Sequence, residues 1–214
     1  MIIAVDGPAA SGKGTVSRRI ASTYGLAYLD TGLLYRAVAR DMLAIGHALT
    51  DETAAAKVAA HLDANSLDDD ALRSPGAGNA ASIVAQHQEV RQKLLRLQRA
   101  FSVQPCGAVL DGRDIGTVVC PDANVKLFVT AEARVRAERR YLELSERGEK
   151  VTQDEILAMI LDRDARDRDR PNSPMRPAID ALLLDTSNLD INQSFEAAIE
   201  LIKRKIGPPD ANAC

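Results

Sequence analysis

The sequence predicts an α/β doubly wound sandwich, in which a five-stranded parallel sheet is covered by helices on both faces, with a short insertion on one side and a helical lid. Three observations carry that prediction. Five short apolar runs are spread along the chain, helical patterns fill the gaps between them, and the first run leads directly into a glycine-rich turn that opens a helix. Parallel strands need crossover connections, and the helices that supply them cover both sheet faces.

The strand candidates are residues 2–5, 27–29, 108–110, 125–129 and 182–184. Residues 79–101 read as one long helix, because Val84, Val90, Leu94, Leu97 and Phe101 recur at helical spacing while Arg and Gln take other faces. Residues 65–78, with Asp68-Asp69-Asp70 and Ser74-Pro75-Gly76, read as an irregular connection. Thr152 with Glu155 makes a capping box, Asp190 caps the last helix, and Gly148 and Gly207 stand where helices should stop. The expected division is one domain over residues 1–207. Its core is 1–30, 104–148 and 178–207, an acceptor-binding region spans about 31–103, a lid spans about 149–177, and 208–214 is a tail.

Composition narrows the chemistry. At 214 residues the chain can bury a sizeable core, and 46% apolar with 27% charged residues is ordinary for a globular protein. A net charge of −3 gives no bulk attraction to nucleic acid or acidic lipid. With four Tyr, three Phe and no Trp, a stacking surface for nucleic acid polymers is not expected either. Cys106, Cys120 and Cys214 lack paired spacing and read as reduced thiols, while His47, His61 and His87 are isolated, so no protein metal site is assigned. No leader-like segment precedes Asp6 and Gly7, and no stretch reaches membrane-spanning length. A cytoplasmic monomer without membrane partners is the expectation.

The sharpest signal is Gly7-Pro8-Ala9-Ala10-Ser11-Gly12-Lys13-Gly14-Thr15 between the first strand and the first helix. Glycines let such a P-loop turn its backbone N–H groups inward, the helix N-terminus adds positive potential, and Lys13 reaches the β- and γ-phosphates of a bound nucleotide. The stricter form of the motif has Ser or Thr directly after the lysine to meet Mg²⁺; here that position is Gly14 and the hydroxyl follows at Thr15. The Gly-Lys-Gly-Thr variant is similar to nucleoside monophosphate kinases. No Asn-Lys-x-Asp guanine-reading motif occurs.

Two further segments, Asp30 through Thr31, Tyr35 and Arg36, and Asp111-Gly112-Arg113-Asp114, follow the second and third strands. Ligands of open α/β sheets bind beyond the strands' carboxyl ends, so these segments and the P-loop should meet in one crevice. Thr31 and Tyr35 also suit capping and packing of the second helix, and Asp111 suits either water-mediated contact with Mg²⁺ or the turn before Gly112. From Asp162 to Arg170 aspartates and arginines nearly alternate. A solvated helix laced by ion pairs is the plain reading of such a run, yet Arg163, Asp167 and Arg170 share one helical face that a nucleotide could meet. Pro171, Pro174 and Pro177 then bound a hinged segment.

With these segments in view, the chain closely resembles bacterial cytidylate kinases over nearly its whole length. The resemblance also takes in Asn79-Ala80-Ala81-Ser82, Val90-Arg91, Gln98-Arg99-Ala100-Phe101, Gly116-Thr117-Val118-Val119, Pro121-Asp122-Ala123 and the charged run itself. It implies that Ser82, Arg91 and Asp114 read the cytosine. It further implies that Arg36, Arg113 and Arg170 hold the acceptor phosphate, and that Arg163 and Asp167 meet ribose and phosphates. A surface serine with a solvated arginine remains the alternative for Ser82 and Arg91. Relatives commonly carry a longer insertion before Asn79; the short 65–78 segment, including Arg73, carries over no acceptor contact.

The implied reaction is transfer of the γ-phosphoryl group of ATP, bound with Mg²⁺, to CMP and dCMP, a step of pyrimidine nucleotide metabolism. No general base is needed, because a phosphate monoester with a second pKa of about 6 is already mostly ionised. Alignment and charge stabilisation fall to Lys13, Arg113, Arg163 and Arg170. Two rivals stay open: a different small acceptor such as UMP, AMP or a sugar, and a nucleotide-sensing module without transfer.

Overall fold

In the computed structural model, which describes residues 1–63, 67, 72, 74 and 76–207, five strands form one all-parallel sheet in the order β2-β3-β1-β4-β5. The strands are β1 (Ile2–Asp6), β2 (Ala27–Asp30), β3 (Ala108–Gly112), β4 (Val125–Thr130) and β5 (Leu182–Asp185). The helices are α1 (Lys13–Tyr24), α2 (Thr31–Ala44), α3 (Glu52–Ala60), α4 (Ala77–Val84), α5 (Gln88–Ser102), α6 (Ala133–Glu146), α7 (Gln153–Asp169) and α8 (Ile191–Ile206). A π-helical turn, Ile115–Val119, follows β3. The predicted sheet and its five strands stand.

Alternation along the strands builds the two faces. Ile3 and Val5 of β1 point into a core with Val16 and Ile20 of α1 and Ile199 and Ile202 of α8. Ala4, one residue out of phase, points to the other side with Leu110, Ile115 and Val119, against which Leu95 and Phe101 of α5 pack. A third cluster joins α2, α3, α4 and α5 through Leu34, Val38, Met42, Ala55, Val84, Val90 and Leu94. A fourth joins α6 and α7 through Ala137, Leu144, Ile156 and Ile160, with Ala10 of the P-loop packed against it.

Both capping boxes are present, Thr152 with Glu155 and Asp190 with Gln193, and Gly148 and Gly207 follow α6 and α8 at positive φ. The long helix over 79–101 is a correction: it is broken, with α4 ending at Val84 and α5 starting at Gln88. His87 takes an extended conformation as the N-cap of α5, and its Nε2 lies 2.8 Å from the Leu49 carbonyl. The reason is geometric. At 3.6 residues per turn, Ser82 and Arg91, nine positions apart, sit about two and a half turns apart and face opposite ways on a straight helix. The break turns both toward one cavity, and the Arg91 guanidinium donates to the Ala85 carbonyl at the break (3.3 Å). Cys106 and Cys120 carry free thiols. Among the described residues no helix is long and apolar enough to cross a membrane. Most of the 65–78 connection, Arg73 included, and the 208–214 tail with Cys214 lie outside the described residues.

Candidate active site

The carboxyl ends of β1, β2 and β3 lie side by side, because Asp6 is in register with Gly112 and Asp30 with Asp111. The P-loop, α2 and the Arg113-Asp114 segment therefore leave the sheet at one edge, as the sequence predicts. Gly7 has φ 150°, and a Cβ there would stand 2.0 Å from the Val129 carbonyl oxygen, so the loop leaves β1 by a path open only to glycine. Gly12 and Ala10 have positive φ, and α1 begins at Lys13. Pro8, Ala9 and Ser11 complete the turn, and the Thr186 hydroxyl donates to the Ser11 carbonyl (3.1 Å). The Lys13 ammonium donates to the Pro8 carbonyl at 3.4 Å.

Two carboxylates stand beside that lysine. Loss of hydration and the nearby Asp30 charge push Asp111 up to about 6, while Lys13 itself is drawn down to about 7 by burial and by Arg113. Asp111 accepts the Tyr28 hydroxyl at 2.6 Å, and a Cβ on Gly14 would lie 3.6 Å from Asp111 Oδ2. The glycine in the place of the usual hydroxyl residue thus faces Asp111, whereas Thr15 is exposed. The Thr31 hydroxyl donates to the Asp111 carbonyl (2.7 Å) and ties α2 to β3, while Asp30 caps α2 by accepting from the Gly32 amide.

The arginines and aspartates of α5, of α7 with its C-cap, and of the segment after β3 form one ionic cluster. Arg91 donates to Asp114 at 2.5 Å and Arg170 approaches the other oxygen of Asp114 at 3.4 Å. Arg113 donates to Asp167 at 2.8 Å, Arg163 lies 3.8 Å from the same oxygen, and the Ser82 hydroxyl donates to Asp167 (3.2 Å). Tyr35 is buried beneath the Arg91 guanidinium, which sits 5.5 Å from the ring centroid. Arg36 stands at the margin, donating to the Leu72 carbonyl at 3.2 Å, with its Nε buried and unpartnered. Arg163 and Asp167 share a face of α7, whereas Arg170 is a correction: it lies just past the helix end as an extended C-cap, and it still lines the same cavity as the other two. Four guanidiniums with side-chain exposures of 4–20% meet two carboxylates, leaving a surplus of positive charge. The surplus is felt at Arg163, which burial and Arg113 draw down to about 9. At Asp167 burial works upward, but Arg113 and Arg163 prevail and hold it below the usual carboxylate range.

One link escaped the sequence reading. Arg136, in the first turn of α6, donates to the Ala9 carbonyl of the P-loop (3.2 Å), to the Ala131 carbonyl (2.8 Å) and to Asp164 of α7 (2.6 Å). It joins α7 to the phosphate loop through its bonds to Asp164 and Ala9. No local pattern announces it, because its partners are about 28 and 127 positions away. Asp164 is visible in the charged run, but its partner Arg136 is not.

A P-loop beside a second, cation-lined cavity is an arrangement suited to phosphoryl transfer. The chain matches the family described as Cytidylate kinase over residues 3–204, and it belongs to that family. A Cytidylate kinase of Rhodopseudomonas palustris is 55% identical over 203 residues, covering 95% of this chain and 96% of the relative. One from Xanthobacter autotrophicus is 57% identical over 205 residues, covering 96% and 98%. Among solved structures, TT1252 from Thermus thermophilus is 22% identical, with a TM-score of 0.50 and coverage of 96% and 97%. A gluconokinase from Sinorhizobium meliloti 1021 is 15% identical, with a TM-score of 0.51 and coverage of 94% and 91%. These two share the fold alone. Family membership makes the chain a phosphotransferase acting on a nucleoside monophosphate.

Proposed function

We propose that the chain transfers the γ-phosphoryl group of ATP to CMP and dCMP, giving ADP with CDP or dCDP. The observation that carries the proposal is the surplus of guanidinium over carboxylate in the cluster around Asp114 and Asp167, directly beside the P-loop lysine. Buried cations in excess call for an anion, and the phosphate of a nucleoside monophosphate supplies one of the right charge. Asp114, held by Arg91, is the group suited to a cytosine amino donor, and Ser82 and Arg91 offer donors to the remaining base edge. Arg36, Arg113 and Arg170 hold the acceptor phosphate in this reading, and Arg163 and Asp167 reach the ribose and the phosphates as the lid of about 149–177 closes over the acceptor region of about 31–103.

The P-loop amides from Gly7 to Thr15 and the Lys13 ammonium take the donor phosphates. Mg²⁺ bound with ATP suits Asp111, a buried carboxylate at the end of β3 beside Gly14 of the P-loop, and when bound it would supply charge neutralisation at the transferring phosphates. Arg113 stands between the two halves, within the electrostatic reach of both Lys13 and Asp167. The residues' task is to align an acceptor oxygen in line with the γ-phosphorus, offset the charge and exclude water. Measuring ADP release with MgATP across CMP, dCMP, UMP, AMP and a hexose tests the assignment. CMP and dCMP should lead by at least tenfold in kcat/KM; a lead by AMP or the sugar, or no transfer at all, would overturn it.

A further inference from the structure

Asp6 closes β1 one residue before the P-loop, and none of the chemistry above uses it. Its side chain is buried, at 4% exposure, and among the described residues it forms no ion pair. Its two carboxylate oxygens accept backbone hydrogen bonds instead, Oδ1 from the Ile115 amide at 2.7 Å and Oδ2 from the Gly116 amide at 2.8 Å. Those amides open the π-helical turn and have no acceptor within it, whereas the later amides do: Val118 and Val119 donate to the Asp114 carbonyl and Cys120 to that of Ile115. Burial pushes Asp6 up to about 7, and the bonds to two consecutive amides offset part of that cost only where the turn sits in one place. The fit is close on the far side as well. A Cβ on Gly116 would stand 3.1 Å from Lys126 Cδ and 3.4 Å from Asp6 Oδ2.

The residues that this anchor fixes are the neighbours of the turn. Arg113 and Asp114 directly precede Ile115, and they carry the contacts to Asp167, Arg91 and Arg170. The P-loop has supports of its own that do not involve the Asp6 carboxylate: Arg136 on the Ala9 carbonyl, Thr186 on the Ser11 carbonyl, and Ala10 packed against α6 and α7. We propose that Asp6 is a positioning residue for the acceptor, its two oxygens setting where Arg113 and Asp114 stand relative to the phosphate loop, so that it governs acceptor binding and selectivity and leaves donor binding alone. The inference rests on the acceptor place assigned above.

The test is steady-state kinetics of Asp6→Asn on the full chain, with the monophosphate that the wild-type protein turns over best, so that a wrong acceptor assignment shows in the wild type and a wrong inference only in the ratio of variant to wild type. Asparagine keeps one acceptor oxygen and turns an N–H toward the other amide, losing one bond and adding a donor–donor contact. The KM for the acceptor should rise about tenfold or more, with the KM for ATP within about twofold, and discrimination between CMP and UMP should fall. A folded variant in which both KM values stay put, or rise together, overturns the proposal, since a merely structural carboxylate would lower melting temperature and active fraction without that split. Should Asp6→Asn fail to fold, Asp6→Glu provides the second case: it keeps both carboxylate oxygens but carries them one methylene further from the Ile115 and Gly116 amides, and an unchanged acceptor KM there overturns the proposal equally.

Discussion

Asp114 shows how much one side chain can be asked to do. Its two oxygens are divided between Arg91 at 2.5 Å and Arg170 at 3.4 Å, so it holds both arginines, and in the function proposed above it would also present the base with a fixed acceptor edge. A carboxylate accepts on both oxygens, whereas an asparagine accepts on one and donates from the other. Asp114→Asn should therefore raise the KM for CMP by about ten- to a hundredfold and narrow the preference for CMP over UMP, because a site built to pair a substrate N–H discriminates by leaving buried groups unpaired. ADP release with the two acceptors checks this, and an unchanged CMP:UMP ratio would contradict the assigned role. Isothermal titration with MgATP should show the donor site intact, since Asp114 touches none of the P-loop.

The joint between α4 and α5 shows where the sequence was and was not legible. Strands were readable because short apolar runs bounded by polar or turn-forming residues are a local signal, and the P-loop because strand, glycines, lysine and helix follow one another in the chain. The capping boxes at Thr152 and Asp190 were readable for the same reason, and so was the shared face of Arg163 and Asp167, though not the extended C-cap that brings Arg170 to the same cavity. The break at 85–87 was not, since Val84, Val90 and Leu94 keep a helical rhythm across it and what ends α4 is tertiary: His87 reaching the Leu49 carbonyl and Arg91 taking the Ala85 carbonyl. The anchoring roles of Asp6 and Arg136 were hidden likewise, because their partners are supplied by the fold and not by neighbours in sequence. His87→Ala tests the joint as an element. Losing one partly buried hydrogen bond costs about 1 kcal/mol, or roughly 2–4 °C of melting temperature in a chain of this size, and the acceptor KM should rise several-fold as Arg91 loses its bearing, with the KM for ATP unmoved. A fall in melting temperature with no change in acceptor KM would show that the joint serves stability only.

For the molecule as a whole, the site is a place where folding and function pull in opposite directions. Lys13 is drawn down to about 7 by burial and Arg113, from an ordinary value of 10.5, so the folded ligand-free protein gives up this proton well before the unfolded chain does. Between about pH 7 and pH 10.5 the unfolded state then binds more protons at this group than the folded state. Its contribution to stability therefore rises with pH across that window, and below about pH 7 the full cost of holding the ammonium is present. Lys13→Met removes the cost. Differential scanning calorimetry of the two proteins without ligand should find the variant at or above the wild-type melting temperature at pH 7, with the advantage shrinking steadily toward pH 10, while phosphoryl transfer falls by orders of magnitude at every pH. Adding MgATP should reverse the order at pH 7, because donor phosphates that bind only the folded state stabilise it in proportion to their affinity, about 2.7 kcal/mol at a hundredfold excess over Kd, and the variant lacks the ammonium that secures them. A wild-type protein that stays the more stable of the two at pH 7 without nucleotide would mean that the lysine is already satisfied by Asp111 and Asp30, and that the positive surplus of this crevice is not held in readiness for phosphate.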